Sequence, residues 1–247
     1  MGVSDAIEFR DDVTVELVRA QASDSDVLYS ARVSTVGEQT LVTDAQATES
    51  GELAKRDLGL INFLMRDRHG TPFEHNSMTF YVSAPIFVFR EFQRHRMASY
   101  NEESGRYRQL RPVFYVPNRD RMLVQEGRPG KYEFFPGTPE QHELVEHEIR
   151  ESSIRSYESY QRMLAAGVAR EVARSVLPVN IYSSMYVTMN SRSLMNFLSL
   201  RTKRDDSTFP SFPQREIEMV AEKMESFWRE LMPATAEAFD KNGRVAP

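Results

Sequence analysis

The sequence of 247 residues contains no cysteine. This absence excludes disulfides, thiolate metal sites, cysteine-bound iron–sulfur clusters and cysteine nucleophiles. No apolar run approaches the ~20 residues of a membrane-spanning helix. The first residues, MGVSDAIEFRDD, have neither a basic start nor an apolar stretch. We therefore expect no signal peptide and a cytoplasmic protein.

Basic residues are also outnumbered by acidic ones. Lys and Arg number 31 against 36 Asp and Glu, which gives a formal net charge of −5. This balance argues against a protein that coats nucleic acid nonspecifically and against a polybasic membrane anchor. It leaves a local basic site possible. With 40% hydrophobic and 27% charged residues, the composition is that of an ordinary globular protein.

The pattern of apolar residues predicts an α+β fold in one domain covering residues 1–247, with long helices packed on a small mixed or antiparallel sheet. Thr138-Pro139-Glu140-Gln141 is a strong helix start, and Asn190 or Ser191 is a candidate cap further on. The predicted helices cover 24–33 (capped by Asp24 or Ser25), 52–68, 85–94, 138–166, 168–177, 190–200 and 214–231. His69 and Gly70 are expected to end the second helix, with Gly70 at positive φ. The predicted strands cover 13–18, 78–85, 113–116 and 181–189, and 111–137 and 202–213 are predicted to be loops.

One stretch, RHRMASYNEESGR at residues 94–106, concentrates the polar chemistry. Arginine forks bind phosphate through two parallel hydrogen bonds, serine hydroxyls add neutral donors, and glycine lets the backbone approach a ligand closely. The composition indicates an anion-binding loop with phosphate as the anion. The alternative is a solvated charged turn, in which Arg94 and Arg96 pair with Glu91, Glu102 or Glu103.

The pattern RHRxxSxNxxSxR in this stretch resembles the signature of the flavin-dependent thymidylate synthases, with every fixed position filled. Four other segments are similar to elements of that family, and the resemblance covers roughly residues 28 to 240. They are ARVS at 31–34, HGTPFEH at 69–75, ARSVLP at 173–178 and NSRSLMNFLSLR at 190–201.

The resemblance implies an enzyme that makes dTMP from dUMP. The carbon would come from 5,10-methylenetetrahydrofolate and the hydride from NADPH through FAD, without a cysteine nucleophile. It also implies a homotetramer with active sites shared between subunits. We expect no nucleic-acid partner, no membrane association and no metal.

The resemblance also implies a role for individual residues. Arg201 would be catalytic, beside the uracil. The expected dUMP ligands are Glu91, Arg94, Glu102, Glu103, Ser104, Gly105, Arg106, Arg174 and Arg201. The expected FAD ligands are Ser34, His69, Thr71, Arg94, His95, Arg96, Glu102, Asn190, Arg192 and Asn196.

Several of these residues have simpler interpretations. His69 is a candidate helix C-cap, and Arg174 is a candidate cation at a helix C-terminus. Arg201 falls near an apolar stripe, where it either snorkels at the helix end or is held by a buried anion. His75 is expected to be a structural partner of Glu74. The sequence departs from the family at Phe212, where relatives often carry a histidine before the last helix, and in the long loop that precedes it.

Two other functions compete with this one. The first is a non-catalytic RNA- or nucleotide-binding protein that uses residues 94–106, with Tyr100 and Tyr107 as stacking partners. The second is a flavin oxidase or reductase that has lost methyl transfer.

Overall fold

A computed structural model describes residues 6–39, 53–128 and 131–247 of the chain. The predicted helix start at residue 52 and the first five residues of the N-terminal segment lie outside these ranges. The strands are β1 (Glu8–Arg10), β2 (Thr14–Gln21), β3 (Ser77–Pro85), β4 (Ser99–Glu102), β5 (Val113–Tyr115), β6 (Met122–Arg128), β7 (Lys131–Pro136) and β8 (Tyr182–Met189). The α-helices are α1 (Asp24–Val36), α2 (Lys55–Arg66), α3 (Ile86–Phe92), α4 (Pro139–Ala165), α5 (Arg170–Ala173), α6 (Ser191–Arg201), α7 (Arg215–Leu231) and α8 (Pro233–Lys241).

The strands within the described ranges form one four-stranded sheet and two pairs. The larger sheet has the order β2-β3-β8-β4. Strands β1 and β5 pair in parallel, with Glu8 opposite Val113 and Arg10 opposite Tyr115. Strands β6 and β7 form an antiparallel hairpin. These elements confirm the predicted α+β class.

The chain divides into two compact units that alternate along the sequence. The first unit comprises the described residues up to Thr14 together with Val82–Arg94 and Asn101–Met185. The second comprises the described parts of Val15–Tyr81 together with His95–Tyr100 and Tyr186–Pro247. The interpretation as one domain stays a prediction.

The core of the first unit is built around α4. This helix starts as predicted, because the Thr138 hydroxyl accepts a hydrogen bond from the Gln141 N–H and the Gln141 side chain accepts one from the Thr138 N–H. Tyr157 and Tyr160 are buried on one face of it. The Tyr157 hydroxyl donates to the Leu110 carbonyl at 3.0 Å, and its ring meets Phe114 edge-on.

The core of the second unit is built around α7. Its buried positions Ile217, Val220, Ala221, Met224 and Trp228 recur at helical spacing and form one apolar face. The Trp228 indole N–H donates to the Ser191 hydroxyl at 2.9 Å, at the first residue of α6. The buried tryptophan therefore fixes the start of α6, which carries several candidate site residues.

A buried cluster of charged residues around Arg244 binds Thr202, the residue that follows α6. Arg244 is 3% exposed, has a φ of 56°, and donates hydrogen bonds to Glu225, Asp240 and the Thr202 hydroxyl. The Ser211 hydroxyl donates to the Thr202 carbonyl at 2.7 Å. Both ends of the predicted 202–213 loop are thus tied to the end of α6.

Most predicted helix and strand positions agree with the structure, and the differences have identifiable causes. The cap of α1 is Ser23, not Asp24 or Ser25, because Ser23 forms a capping box with Asp26 while the Asp24 carboxylate binds the amides of Ala234 and Thr235. At the end of α2 the left-handed conformation falls on Arg68, with a φ of 65°, and Gly70 is right-handed. The predicted 168–177 helix is short, because only Arg170–Ala173 is α-helical before a 3₁₀ turn.

Some elements were not predicted at all. Strands β1 and β4 have three and four residues, too few for a periodic pattern. The 111–137 segment, predicted as a loop with one short strand, contains the β6–β7 hairpin as well as β5. Helix α8 follows α7 directly through Pro233.

None of the helices in the described ranges is long and apolar enough to cross a membrane.

Candidate functional site

Candidate site residues in the first unit gather after β4. The Glu103 N–H donates to the Ser184 carbonyl at 2.8 Å, and the Ser184 hydroxyl donates to the Glu103 carboxylate at 3.1 Å. Glu103 also pairs with Arg108, at 3.1 Å, so its partner is not Arg94 or Arg96. Glu103 therefore anchors the segment to β8, and the residues that follow it are held in place.

Those following residues form a tight turn, which we call the Ser104 turn (Ser104–Arg106). The Ser104 carbonyl accepts hydrogen bonds from the N–H groups of Tyr107 and Arg108, and its hydroxyl accepts one from the Arg106 N–H at 3.3 Å. A Cβ on Gly105 would lie 3.2 Å from Cδ of Arg174. Glycine at this position thus lets the Arg174 side chain lie directly on the turn.

One guanidinium, that of Arg106, belongs to this turn, and a second, that of Arg174, lies against it. Arg106 is exposed and its Nε donates to Glu171 at 3.0 Å. Arg174 opens the 3₁₀ turn after α5 and is exposed. Guanidinium forks, a serine hydroxyl and a close backbone approach together suit a phosphate anion.

Glu102, at the end of β4, is a half-buried carboxylate. Burial raises the pKa of Glu102 above its ordinary value, and the neighbouring charge of Glu103 raises it further. The Ser183 hydroxyl and the charges of Arg174 and Arg90 oppose this rise. A carboxyl held in this way is suited to hydrogen-bond a polar ligand group.

The remaining candidates of the first unit lie on or just after α3. Glu91 is half-buried within this helix, and the Arg94 N–H donates to the Glu91 carbonyl at 3.3 Å. The Arg94 side chain is exposed.

Candidate site residues in the second unit gather around Arg192, near the start of α6. Its Nη1 pairs with Glu74, and its Nε donates to the Pro247 carbonyl at 2.6 Å. A Cβ on Gly70 would lie 2.5 Å from both Nε and Cζ of this guanidinium. We call Gly70, Glu74, Arg192 and Pro247 the Arg192 clamp. The pairing of Glu74 with Arg192 replaces the partnership with His75 that the sequence suggested.

The flanking candidates have individual roles. The ring of His69 stacks on Phe63 at a centroid distance of 5.6 Å, and its backbone N–H, at 2.9 Å from the Leu64 carbonyl, closes the end of α2. Thr71 is exposed at the start of a 3₁₀ turn. Asn190 caps α6 as predicted, because its side chain accepts from the Ser193 N–H at 2.9 Å.

Three predicted flavin ligands are exposed, and the contacts around them are few. The Ser34 hydroxyl donates to the Ala31 carbonyl within α1. Asn196 lies one turn beyond Arg192 on α6, so the two share a face as predicted. Arg96 lies on the short segment before β4.

His95 and Arg201 are in contact, although the sequence separates them widely. Arg201 Nε lies 3.0 Å from His95 Nε2. The imidazole also meets the Phe197 ring edge-on at 4.9 Å. Burial, and then the charge of Arg201, lowers the pKa of His95 to about 4.

Sequence reasoning missed the residues that support these side chains. Ser183 and Ser184 are consecutive in β8: the Ser184 hydroxyl donates to the Glu103 carboxylate, and the Ser183 hydroxyl influences the pKa of Glu102. Two adjacent serines inside a largely apolar strand are a recognisable signal, since buried hydroxyls need polar partners. Glu171, which binds Arg106, gave no such signal. Tyr100 was named only as a stacking partner, whereas its hydroxyl binds the His95 carbonyl.

The described residues contain no cluster of three or more histidine, aspartate or glutamate side chains arranged to bind a metal ion. The second unit does have groups that fit an anionic cofactor such as FAD. Arg96 is exposed, and the Arg192 guanidinium packs against Gly70 while 44% of the Arg192 side chain stays exposed.

Comparison with known families defines the class of protein. The model of the family described as "Thymidylate synthase complementing protein" matches residues 16–234. The chain therefore belongs to this family, the flavin-dependent thymidylate synthases.

Individual relatives are similar over almost their whole length. The chain is 66% identical over 242 residues to the flavin-dependent thymidylate synthase of Streptomyces coelicolor, covering 98% of this chain and 96% of that one. It is 61% identical over 239 residues to the enzyme of the same name from Tropheryma whipplei, covering 97% of each chain.

A solved structure is similar as well. The UMP/dUMP methylase PolB from Streptomyces cacaoi, bound with 5-Br dUMP, superposes with a TM-score of 0.89 at 52% identity, covering 98% of this chain and all of that one. The same protein bound with 5-Br UMP gives a TM-score of 0.88 at 51% identity.

Proposed function

We propose that this chain is a flavin-dependent thymidylate synthase that converts dUMP to dTMP. The carbon donor is 5,10-methylenetetrahydrofolate, and NADPH supplies the hydride by way of FAD. The observation that carries this proposal is the 66% identity to a flavin-dependent thymidylate synthase over 98% of the chain. The lack of cysteine agrees with it, because no thiol is present to attack the uracil ring.

The first unit supplies the nucleotide-binding chemistry. The Ser104 turn offers the Ser104 hydroxyl and the Arg106 guanidinium for the dUMP phosphate. Arg174, packed on Gly105, offers a second guanidinium. Glu91, Arg94, Glu102 and Glu103 complete the proposed ligands. Glu102 has its pKa raised by burial, which favours hydrogen bonding to polar groups of the sugar or base.

The second unit supplies groups for the flavin. The proposed flavin ligands, as the family resemblance implies them, are Ser34, His69, Thr71, Arg94, His95, Arg96, Glu102, Asn190, Arg192 and Asn196. When bound, FAD supplies the hydride chemistry that amino-acid side chains lack. Arg192 and Arg96 would hold its negative charges, and Asn190 and Asn196 would offer neutral hydrogen bonds.

Arg201 is the proposed catalytic residue. Its guanidinium is always charged and donates hydrogen bonds in a plane, which suits the carbonyl edge of uracil. A fixed cation there stabilises negative charge on the ring as hydride is delivered, favouring the enolate-like form. In this role Arg201 is held near the apolar stripe of α6 by a buried anion and does not snorkel at the helix end.

Three further features belong to the proposal. A homotetramer with shared active sites, a cytoplasmic location and a single domain remain predictions from the family resemblance. Analytical ultracentrifugation of the purified protein tests the first of these directly.

The test of the function is the formation of dTMP by the purified protein. We expect a yellow protein whose flavin bleaches with NADPH in the absence of oxygen, and dTMP once dUMP and methylenetetrahydrofolate are added. UMP is assayed in parallel, because PolB is described as a UMP/dUMP methylase. Oxidation of NADPH without dTMP would favour the oxidase alternative. A colourless protein that takes up no FAD would favour the nucleotide-binding one.

Arg201→Lys tests the catalytic assignment. Lysine keeps the charge but loses the planar fork, so we expect kcat for dTMP formation to fall by about 100-fold. Arg155→Lys is the matched control, because Arg155 is an exposed residue of α4 whose salt bridge is to Glu151 in the preceding turn. Unchanged dTMP formation by Arg201→Lys would remove Arg201 from the mechanism.

A further inference from the structure

The contact between Arg201 and His95 specifies the protonation of the imidazole. Arg201 Nε lies 3.0 Å from His95 Nε2, and an arginine nitrogen can only donate. Nε2 must therefore carry a lone pair, which places the proton of the neutral ring on Nδ1. This tautomer is assigned from the hydrogen bond.

Two further contacts restrain His95, one at its ring and one at its backbone. Phe197, one helical turn before Arg201 on α6, meets its ring edge-on at 76°. The Tyr100 hydroxyl donates to the His95 carbonyl at 2.7 Å, which fixes the backbone on the other side. The ring can therefore act as a rigid hydrogen-bond acceptor.

We propose that His95 is a positioning residue for Arg201. Its Nε2 lone pair fixes the Nε edge of the guanidinium and thereby the plane in which the terminal nitrogens lie. This goes beyond the flavin contact that the family resemblance implies for His95, and it rests on the proposed role of Arg201 beside the uracil. The low pKa of His95 supports it, because the ring stays neutral at physiological pH and does not repel the guanidinium.

The tautomer can be measured without any turnover. In the flavin-bound protein labelled with ¹⁵N at histidine, long-range ¹H–¹⁵N correlation at pH 7.5 reports which ring nitrogen carries the proton. We expect a proton on Nδ1 and none on Nε2 of His95. A proton on Nε2, or a doubly protonated ring, would overturn the proposal even if the enzyme makes dTMP.

Two variants test the consequence for catalysis. His95→Gln places an amide oxygen near the position of Nε2, whereas the acceptor of His95→Asn falls short of Arg201. We expect His95→Asn to lower kcat roughly tenfold or more, with a smaller change in KM for dUMP, and His95→Gln to recover part of that loss. His147→Gln is the control, since His147 is exposed on α4.

A double-mutant cycle separates positioning from other effects. In the Arg201→Lys background, His95→Asn should cause little further loss, because the side chain that it positions is already changed. Losses that simply multiply would contradict the proposal, as would full recovery of the His95→Asn rate by saturating FAD. If the wild type forms no dTMP while the tautomer is as expected, the proposed function fails and the Arg201–His95 contact stands.

Discussion

Gly70 is the residue whose substitution separates folding from ligand binding most clearly. Its φ of −75° and ψ of −33° suit any amino acid, so alanine causes no backbone strain there. The three atoms nearest to the position that a Cβ would take all belong to the Arg192 guanidinium, at 2.5–2.8 Å. This guanidinium is the flexible end of a long side chain and can move aside, but it then leaves the Arg192 clamp.

We therefore predict that Gly70→Ala weakens FAD binding roughly tenfold while the melting temperature changes little, because a charge-assisted contact is displaced. Gly59→Ala is the matched control. Gly59 lies within α2 with no atom within 4 Å of its Cβ position, so alanine there should stabilise the protein by about 0.5–1 kcal/mol and leave FAD binding unchanged. Flavin fluorescence titration and thermal denaturation measure both. Wild-type FAD affinity in Gly70→Ala would contradict the clamp's proposed role.

Sequence reasoning identified candidate residues better than it identified their partners. The sequence pointed to both Arg192 and Glu74, yet Glu74 was assigned to the adjacent His75. His95 and Arg201 were both named, but their contact was not. Which charged groups meet depends on how distant segments pack, and an individual motif carries no information about that.

Helix caps were predictable where the signal is local. Thr138 and Gln141 satisfy each other's backbone amides, as their spacing indicated. At α1 the same local rule was applied one residue too late, since Ser23 is the cap and Asp24 is engaged elsewhere by Thr235. A side chain that can cap a helix can also be used in a tertiary contact, and the sequence alone does not decide between these uses.

The cap of α4 provides a test of local stability. Thr138→Ala should lower the free energy of unfolding by about 1 kcal/mol, because it leaves the Gln141 N–H without its acceptor. Thr138→Ser keeps the hydroxyl and should retain most of that free energy. Urea denaturation followed by far-ultraviolet circular dichroism measures both variants. Equal midpoints for Thr138→Ala and wild type would show that α4 is held by packing alone.

Short strands and hairpins were the least predictable elements. Strands β1 and β4 are stabilised by their partners β5 and β8, so their own sequences contain little evidence of them. The β6–β7 hairpin lies in a stretch rich in proline, glycine and aromatic residues. This composition is equally typical of a loop. Its strands have mostly exposed side chains, which weakens the apolar alternation on which strand prediction depends.

Protonation of His95 should influence the stability of the whole protein. Its pKa is lowered from the ordinary 6.5 to about 4, so between these values the unfolded chain binds a proton that the folded protein does not. The free energy of unfolding therefore decreases as the pH drops from 6.5 to 4. Below pH 4 His95 causes no further decrease, because both states then bind the proton. Glu102 has the opposite effect. Because its pKa is raised in the folded protein, its protonation in acid increases the free energy of unfolding.

Comparison with a variant isolates the histidine from the other titrating groups. We expect the free energy of unfolding to decrease between pH 6.5 and 4 more steeply in the wild type than in His95→Gln. Urea denaturation at a series of pH values measures the two slopes. Identical slopes would mean that the neutral state of His95 is not linked to folding.

The parallel pairing of β1 with β5 has a consequence for how the protein is made. Glu8 can find its partner only after Val113 has been synthesised, because the two strands lie at opposite ends of a long intervening segment. At roughly 5–20 residues per second, that delay is on the order of ten seconds on the ribosome. During this time β1 remains without its partner strand. A parallel pair that closes so long a loop also forms slowly, so this first strand is among the last to acquire its final neighbours.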